Sequence, residues 1–98
     1  MPRRVLLSRR VRNWIDIEAE YLVARSPTAA QRLRDRVCSS QQLLADHPRI
    51  GRRGNTTGTR RVIMVPYVMT YCEIGPDIVI VDIRYSRLAE RPIPDNAQ

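Results

Sequence analysis

The sequence predicts an α+β fold with the order β-α-α-β-β-β, an antiparallel sheet carrying an N-terminal helical hairpin on one face. Three observations predict it. Apolar residues recur at helical spacing over 9–46 and change to strand-like runs over 59–87. The helical part is cut once, at Ser26-Pro27, leaving so short a link that its two halves lie antiparallel. The final apolar runs are separated only by turn residues, which makes them adjacent strands. With 98 residues and 43% apolar content, the chain has material for one domain around a single modest core.

Residues 3–7 are short and apolar enough for an edge strand, and Ser8 then caps a helix. Over 9–25, Val11, Ile15 and Leu22 recur at helical spacing, with Trp14, Ile17 and Tyr21 alongside. Asp16, Glu18 and Glu20 lie early to mid-helix and Arg25 at its end, as the helix dipole favours. Proline pushes the preceding residue out of the helical region and suits the first helical position, so Ser26-Pro27 ends one helix and starts the next. That second helix spans 27–46, with Ala30, Leu33, Val37 and Leu44 on one stripe and Arg32, Arg34, Asp35 and Arg36 mostly on the wet side. Residues 47–58 form a loop containing three of the four glycines. Strands are expected over 60–65, 67–74 and 78–85, with Pro66 at a tight reversal and Gly75-Pro76-Asp77 as a turn.

On the last strand, strict alternation puts Val79, Val81 and Ile83 on the helix-packed face. Ile78, Ile80, Asp82 and Arg84 then share the open face, where the two isoleucines make an apolar patch that needs a partner. The domain is expected to span 1–88, with 89–98 as a tail that is either flexible or ordered by a partner.

No apolar run reaches the ~18–20 residues of a membrane span. The opening MPRRVLLSRRVRNW has too short an apolar run for a secretory signal. A soluble cytoplasmic protein without a membrane partner is expected. Cys38 and Cys72 lack CxxC or Cys/His spacing and read as free thiols. The sole histidine, His47, precedes Pro48 at a helix end and reads as a cap. Neither a metal site nor a cofactor is expected.

The formal charge is +7, and all 17 basic residues are arginine, whose guanidinium makes bidentate contacts to phosphate or carboxylate. Residues 1–15 contain no acid, and neither do residues 47–72. Such segregation makes a positive surface that attracts RNA, DNA or an acidic protein segment.

A series of motifs then adds a family. VLLSRR is an opening strand with a Ser-capped helix; Tyr21 is followed by SPTAAQRL, then LLADHPRIGR, GTRR, PYVMTY and IVIVDIRYSR. Their order and spacing resemble the toxins of the RelE/ParE superfamily, the small subunits of bacterial type II toxin–antitoxin pairs. The resemblance covers residues 3–88. It implies the same β-α-α-β-β-β fold, and a cognate antitoxin, ParD-like or similar, whose C-terminal segment wraps the toxin in a hetero-oligomer. Trp14, Tyr21, Ile78 and Ile80 are the expected antitoxin contacts.

Two activities occur in that superfamily: RelE-like members cleave mRNA on the ribosome, and ParE-like members poison DNA gyrase. A metal-free ribonuclease needs a group to activate the ribose 2′-hydroxyl, a cation for the phosphorane and an acid for the leaving oxygen. Where RelE-like nucleases place an arginine in the middle strand, PYV offers Val68. Their late tyrosine has no counterpart, since Ile93 stands near its position. Arg87 and either Arg60 or Arg61 match the remaining basic positions. PYVMTY looks instead like the ParE-like PYVxxY, and IRYSR ends the last strand with Tyr85 where that branch carries histidine. The resemblance therefore implies a ParE-like toxin that inhibits gyrase by binding, through Arg60, Arg61, Arg84, Tyr85 and Arg87. A ribosome-dependent endoribonuclease is the alternative, with Tyr85 as acid or base beside Arg61, Arg84 and Arg87, provided that guanidiniums lower its pKa. A third reading is a non-toxic module that only binds antitoxin.

Overall fold

Ser8 ends the first strand and starts the first helix, its hydroxyl accepting from the Val11 N–H at 3.1 Å. The computed structural model describes residues 2–86. Its elements are β1 (Val5–Leu7), α1 (Arg9–Arg25), α2 (Pro27–Asp46), β2 (Arg52–Arg53), β3 (Thr59–Met64), β4 (Tyr67–Ile74) and β5 (Asp77–Tyr85). Both helices occupy the expected residues. Ser26 serves each of them: its N–H donates to Leu22 O, and its hydroxyl accepts from Ala29 N–H. His47 closes α2 by donating its N–H to Leu43 O at 2.8 Å.

The sheet order is β1-β5-β4-β3-β2. β2 to β5 pair antiparallel, whereas β1 pairs parallel with β5, so the sheet is mixed and not wholly antiparallel as expected. The two-residue strand β2 also adds an edge that the sequence reading placed inside a loop. The fold class is otherwise the α+β arrangement expected, with the two helices lying over β1 and β5. No helix among the described residues is long and apolar enough to cross a membrane.

One core lies between the helices and the sheet. Val11, Ala19, Leu33, Val37 and Leu44 meet Tyr67, Met69, Tyr71, Ile78, Ile80 and Ile83 there. Fully burying a large aliphatic side chain contributes roughly 1.5–3 kcal/mol, so these contacts dominate what holds the layers together.

Strict alternation fails on β5, and the failure corrects an expectation. Ile78 and Ile80 are fully buried, and Val79 and Val81 lie on the other face. The register supplies the reason: Tyr71 faces Ile80 and Thr70 faces Asp82, leaving Val81 as an extra residue in a β-bulge. Inward positions are therefore 78 and 80 before the bulge, then 83 and 85 after it. Ile78 and Ile80 are core residues and offer no surface to an antitoxin.

Candidate functional site

Cross-strand register sorts the expected arginines between the two faces. Arg61 pairs with Thr70 on β4, and Arg84 pairs with Val68, so both occupy the open face. Arg60 pairs with the buried Tyr71 and turns to the opposite side, where its Nη1 donates to Gly51 O at 2.8 Å. Tyr85 pairs with buried Tyr67 and likewise turns toward the helices. Arg87 lies outside the described residues. The four described positions thus divide between the two faces of the sheet.

Tyr85 sits in an aromatic group whose geometry decides its chemistry. Trp14 meets Tyr67 and Tyr85 edge-on, at centroid distances of 6.0 and 5.9 Å, and the two tyrosines stack tilted at 5.3 Å. The Tyr85 hydroxyl donates a hydrogen bond to Glu18 Oε2 on α1. Burial raises its pKa far above the usual tyrosine value, and the hydrogen bond to Glu18 and that residue's charge raise it further. Tyr67 is raised too, by burial first and by Glu18 second. This is the reverse of the guanidinium-lowered phenol that the nuclease reading requires. Arg84 and Arg61 lie on the opposite face of the sheet from this hydroxyl.

The open face has two ends of different character. Arg61 and Arg84 flank Ile63, Val68 and Thr70, with Ile63 60% exposed. Asp82 is the acid among them, and Arg10 reaches it at 3.4 Å. Toward the other end, the register aligns Leu6, Val79 and Cys72 in one row, with the exposed Ile74 beyond. This row occupies the place expected for Ile78 and Ile80. Only knowledge of the bulge finds it, because a single inserted residue exchanges the faces of β5.

On α1, Ile17 and Tyr21 are exposed one turn apart, and the Arg25 guanidinium stacks 3.7 Å from the Tyr21 ring centroid. Of the expected antitoxin contacts, Tyr21 is therefore accessible and Trp14 half-buried.

A second basic element went unnoticed in the sequence because its strand is two residues long. Arg52 faces Arg61 and Arg53 faces Arg60 across β2 and β3. Gly51 anchors this hairpin: its N–H donates to the Tyr71 hydroxyl at 2.9 Å, and an added Cβ would lie 2.7 Å from both that oxygen and Arg61 O. The visible signal was the acid-free run of 47–72, which brackets the whole hairpin.

Residues 5–89 match the family model described as ParE toxin of type II toxin–antitoxin system, parDE. A solved structure titled "Chromosomal ParDE TA system from P. aeruginosa" aligns with a TM-score of 0.73 at 17% identity, covering 85% of this chain and 95% of its own. That likeness is one of fold. No curated protein sequence matched.

Proposed function

Since this chain belongs to the ParE toxin family of type II toxin–antitoxin systems, we propose that it inhibits DNA gyrase by binding until a cognate antitoxin neutralises it in the cytoplasm. The observation that carries the binding reading is Tyr85. Its hydroxyl is packed beneath α1, donates to Glu18 and has a raised pKa, so it supplies no base for a ribose 2′-hydroxyl. Arginine as a residue type, with a reference pKa above ~12, is a poor general base.

Arg61 and Arg84 on the open face are the proposed target contacts, with Arg87 following in the chain. The antitoxin is proposed to lay an amphipathic, net acidic segment against the open face and the exposed Tyr21 of α1. The apolar row of Leu6, Val79 and Cys72 suits the apolar side of such a segment, and Arg61 and Arg84 suit its carboxylates.

The test runs two purified systems side by side, each with and without the protein. Gyrase supercoiling should stop in its presence and resume when antitoxin is added, while ribosome-bound mRNA stays intact. Cleaved mRNA with unaffected supercoiling sinks the proposal in favour of the nuclease. Silence in both, with no growth defect on expression, identifies a binding module.

A further inference from the structure

The β2–β3 hairpin carries a charge pattern that strand pairing alone disfavours. Arg52 stands directly opposite Arg61, and Arg53 directly opposite Arg60. Residues directly opposite in an antiparallel pair have Cβ atoms about 4.5–5.5 Å apart, and like charges there repel. No acid occurs anywhere in 47–72 to offset them. The ion pairs found for other arginines, Arg3–Glu73, Arg4–Asp77 and Arg10–Asp82, join positions outside this hairpin. Arg60 uses one nitrogen on the carbonyls of Gly51 and Arg49, but among the described residues no carboxylate pairs with any of these four arginines.

Strand alternation places one arginine pair on each face. Arg52 and Arg61 belong to the open face, and Arg53 and Arg60 to the opposite one. Between them the tip, Gly54-Asn55-Thr56-Thr57-Gly58, is uncharged, polar and exposed except at Gly54. It is held tight by Gly54 N–H to Thr59 O at 2.8 Å and by Thr59 N–H to Thr56 O at 3.1 Å. At Gly54 an added Cβ would press on the Thr59 side chain, and Gly58 adopts a positive φ of 85°. The result is a hairpin at the sheet edge, with β3 paired to β4 on its other side, a polar tip beyond the strands and cations on both faces.

The geometry points to double-stranded DNA as the ligand of this hairpin, with its tip entering the major groove and its two arginine pairs, one on each face of the sheet edge, on the phosphates of opposite walls. The major groove of B-DNA, about 12 Å wide, admits a two-stranded ribbon, and the corresponding groove of A-form RNA is too narrow. Asn55, Thr56 and Thr57 at the tip carry donors and acceptors that meet base edges. A single strand or an acidic peptide presents one line of charge and engages one face at a time. Arg61 is shared with the proposed gyrase contact, but Arg52, Arg53, Arg60 and the tip are not, so duplex binding by the hairpin stands if the gyrase reading falls.

Fluorescence anisotropy of the full-length chain with a labelled 20-base-pair duplex tests it. Four phosphate contacts at ~0.9 counterions each give a slope of log affinity against log salt near −3.6, or roughly a hundredfold loss between 50 and 200 mM salt. The Arg52→Ala/Arg53→Ala double variant should bind at least tenfold more weakly and reduce the slope by about two. An Arg32→Ala/Arg34→Ala double on the outer side of α2 removes equal charge and should change affinity less than threefold. Asn55→Asp/Thr57→Asp at the exposed tip leaves strand pairing untouched and should also cost at least tenfold, which keeps the proposal testable if the arginine variant misfolds. Absence of duplex binding overturns it. So does equal loss in both arginine doubles, or binding of single-stranded DNA, duplex RNA or polyglutamate as tight as that of duplex DNA.

Discussion

Tyr85 shows how the neighbours of one hydroxyl set what it does. In sequence it stands among arginines, where lowered acidity would be the natural expectation. In the fold, Arg84 lies on the opposite face of the sheet and Glu18 accepts the hydrogen bond of the hydroxyl. Tyr85→Phe removes this hydrogen bond, and a loss of about 1–2 kcal/mol is expected in urea denaturation, with growth inhibition retained. Loss of toxicity at preserved stability would overturn the binding reading. The pH dependence follows from the raised folded pKa. Below about 10, the reference tyrosine value, both states hold the proton and the stabilisation is complete. Above it the unfolded chain releases the proton first, so stability falls as pH rises. Denaturation midpoints followed from pH 8 to 11 should drop for the natural protein and drop less for Tyr85→Phe. Gly51 makes a second case. Gly51→Ala forces a Cβ against the Tyr71 hydroxyl and Arg61 O, so a loss of about 1–3 kcal/mol is expected from overpacking. Tyr71→Phe leaves the buried Gly51 N–H unpaired, also at ~1–3 kcal/mol, and both variants are read by thermal melting.

β5 is the element in which one inserted residue redistributes function. Val81 has no direct partner on β4, and beyond it the inward parity shifts by one. The bulge thereby buries Ile78, Ile80 and Ile83 and packs the half-buried Tyr85 against the core along a single strand while sending Arg84 outward. Truncation separates this arrangement from strict alternation. Ile80→Ala should cost ~2–5 kcal/mol by denaturant unfolding, because a fully buried side chain leaves a cavity. Val79→Ala on the open face should cost well under half of that. Equal losses, or the reverse order, would mean the strand lies in the other register. Helix limits, by contrast, follow from local chemistry. Ser8, Ser26 and Pro27 satisfy or remove the orphan N–H groups of a first turn wherever the helix later packs.

Across the whole molecule, charge and apolar surface are separated in space as well as in sequence. All ten acids fall outside 1–15 and 47–72, and 47–72 spans β2, β3 and most of β4, the part of the sheet away from β1. An acidic antitoxin segment should therefore be steered to the toxin over distances set by the Debye length, ~8 Å at 0.15 M salt. Raising salt from 0.05 to 0.5 M in stopped-flow experiments should slow association by tenfold or more, with dissociation changing less than threefold. A larger effect on dissociation would place the binding energy in the ion pairs and not in the apolar row.

The sequence by itself determined the elements and the family. Helical period, serine caps, the Ser-Pro break and glycine–proline turns act within a few residues, so they can be read without knowing what packs on what. Composition also revealed the acid-free run that marks the basic edge. Only the tertiary structure decided which face each residue of 78–85 occupies, because a bulge is defined by the partner strand and not by its own residues. The same holds for β2, whose two arginines become a strand only through pairing with Arg60 and Arg61. It holds for Tyr85 as well: its partner Glu18 lies 67 residues away, and contact at that separation exists only once α1 is laid on the sheet.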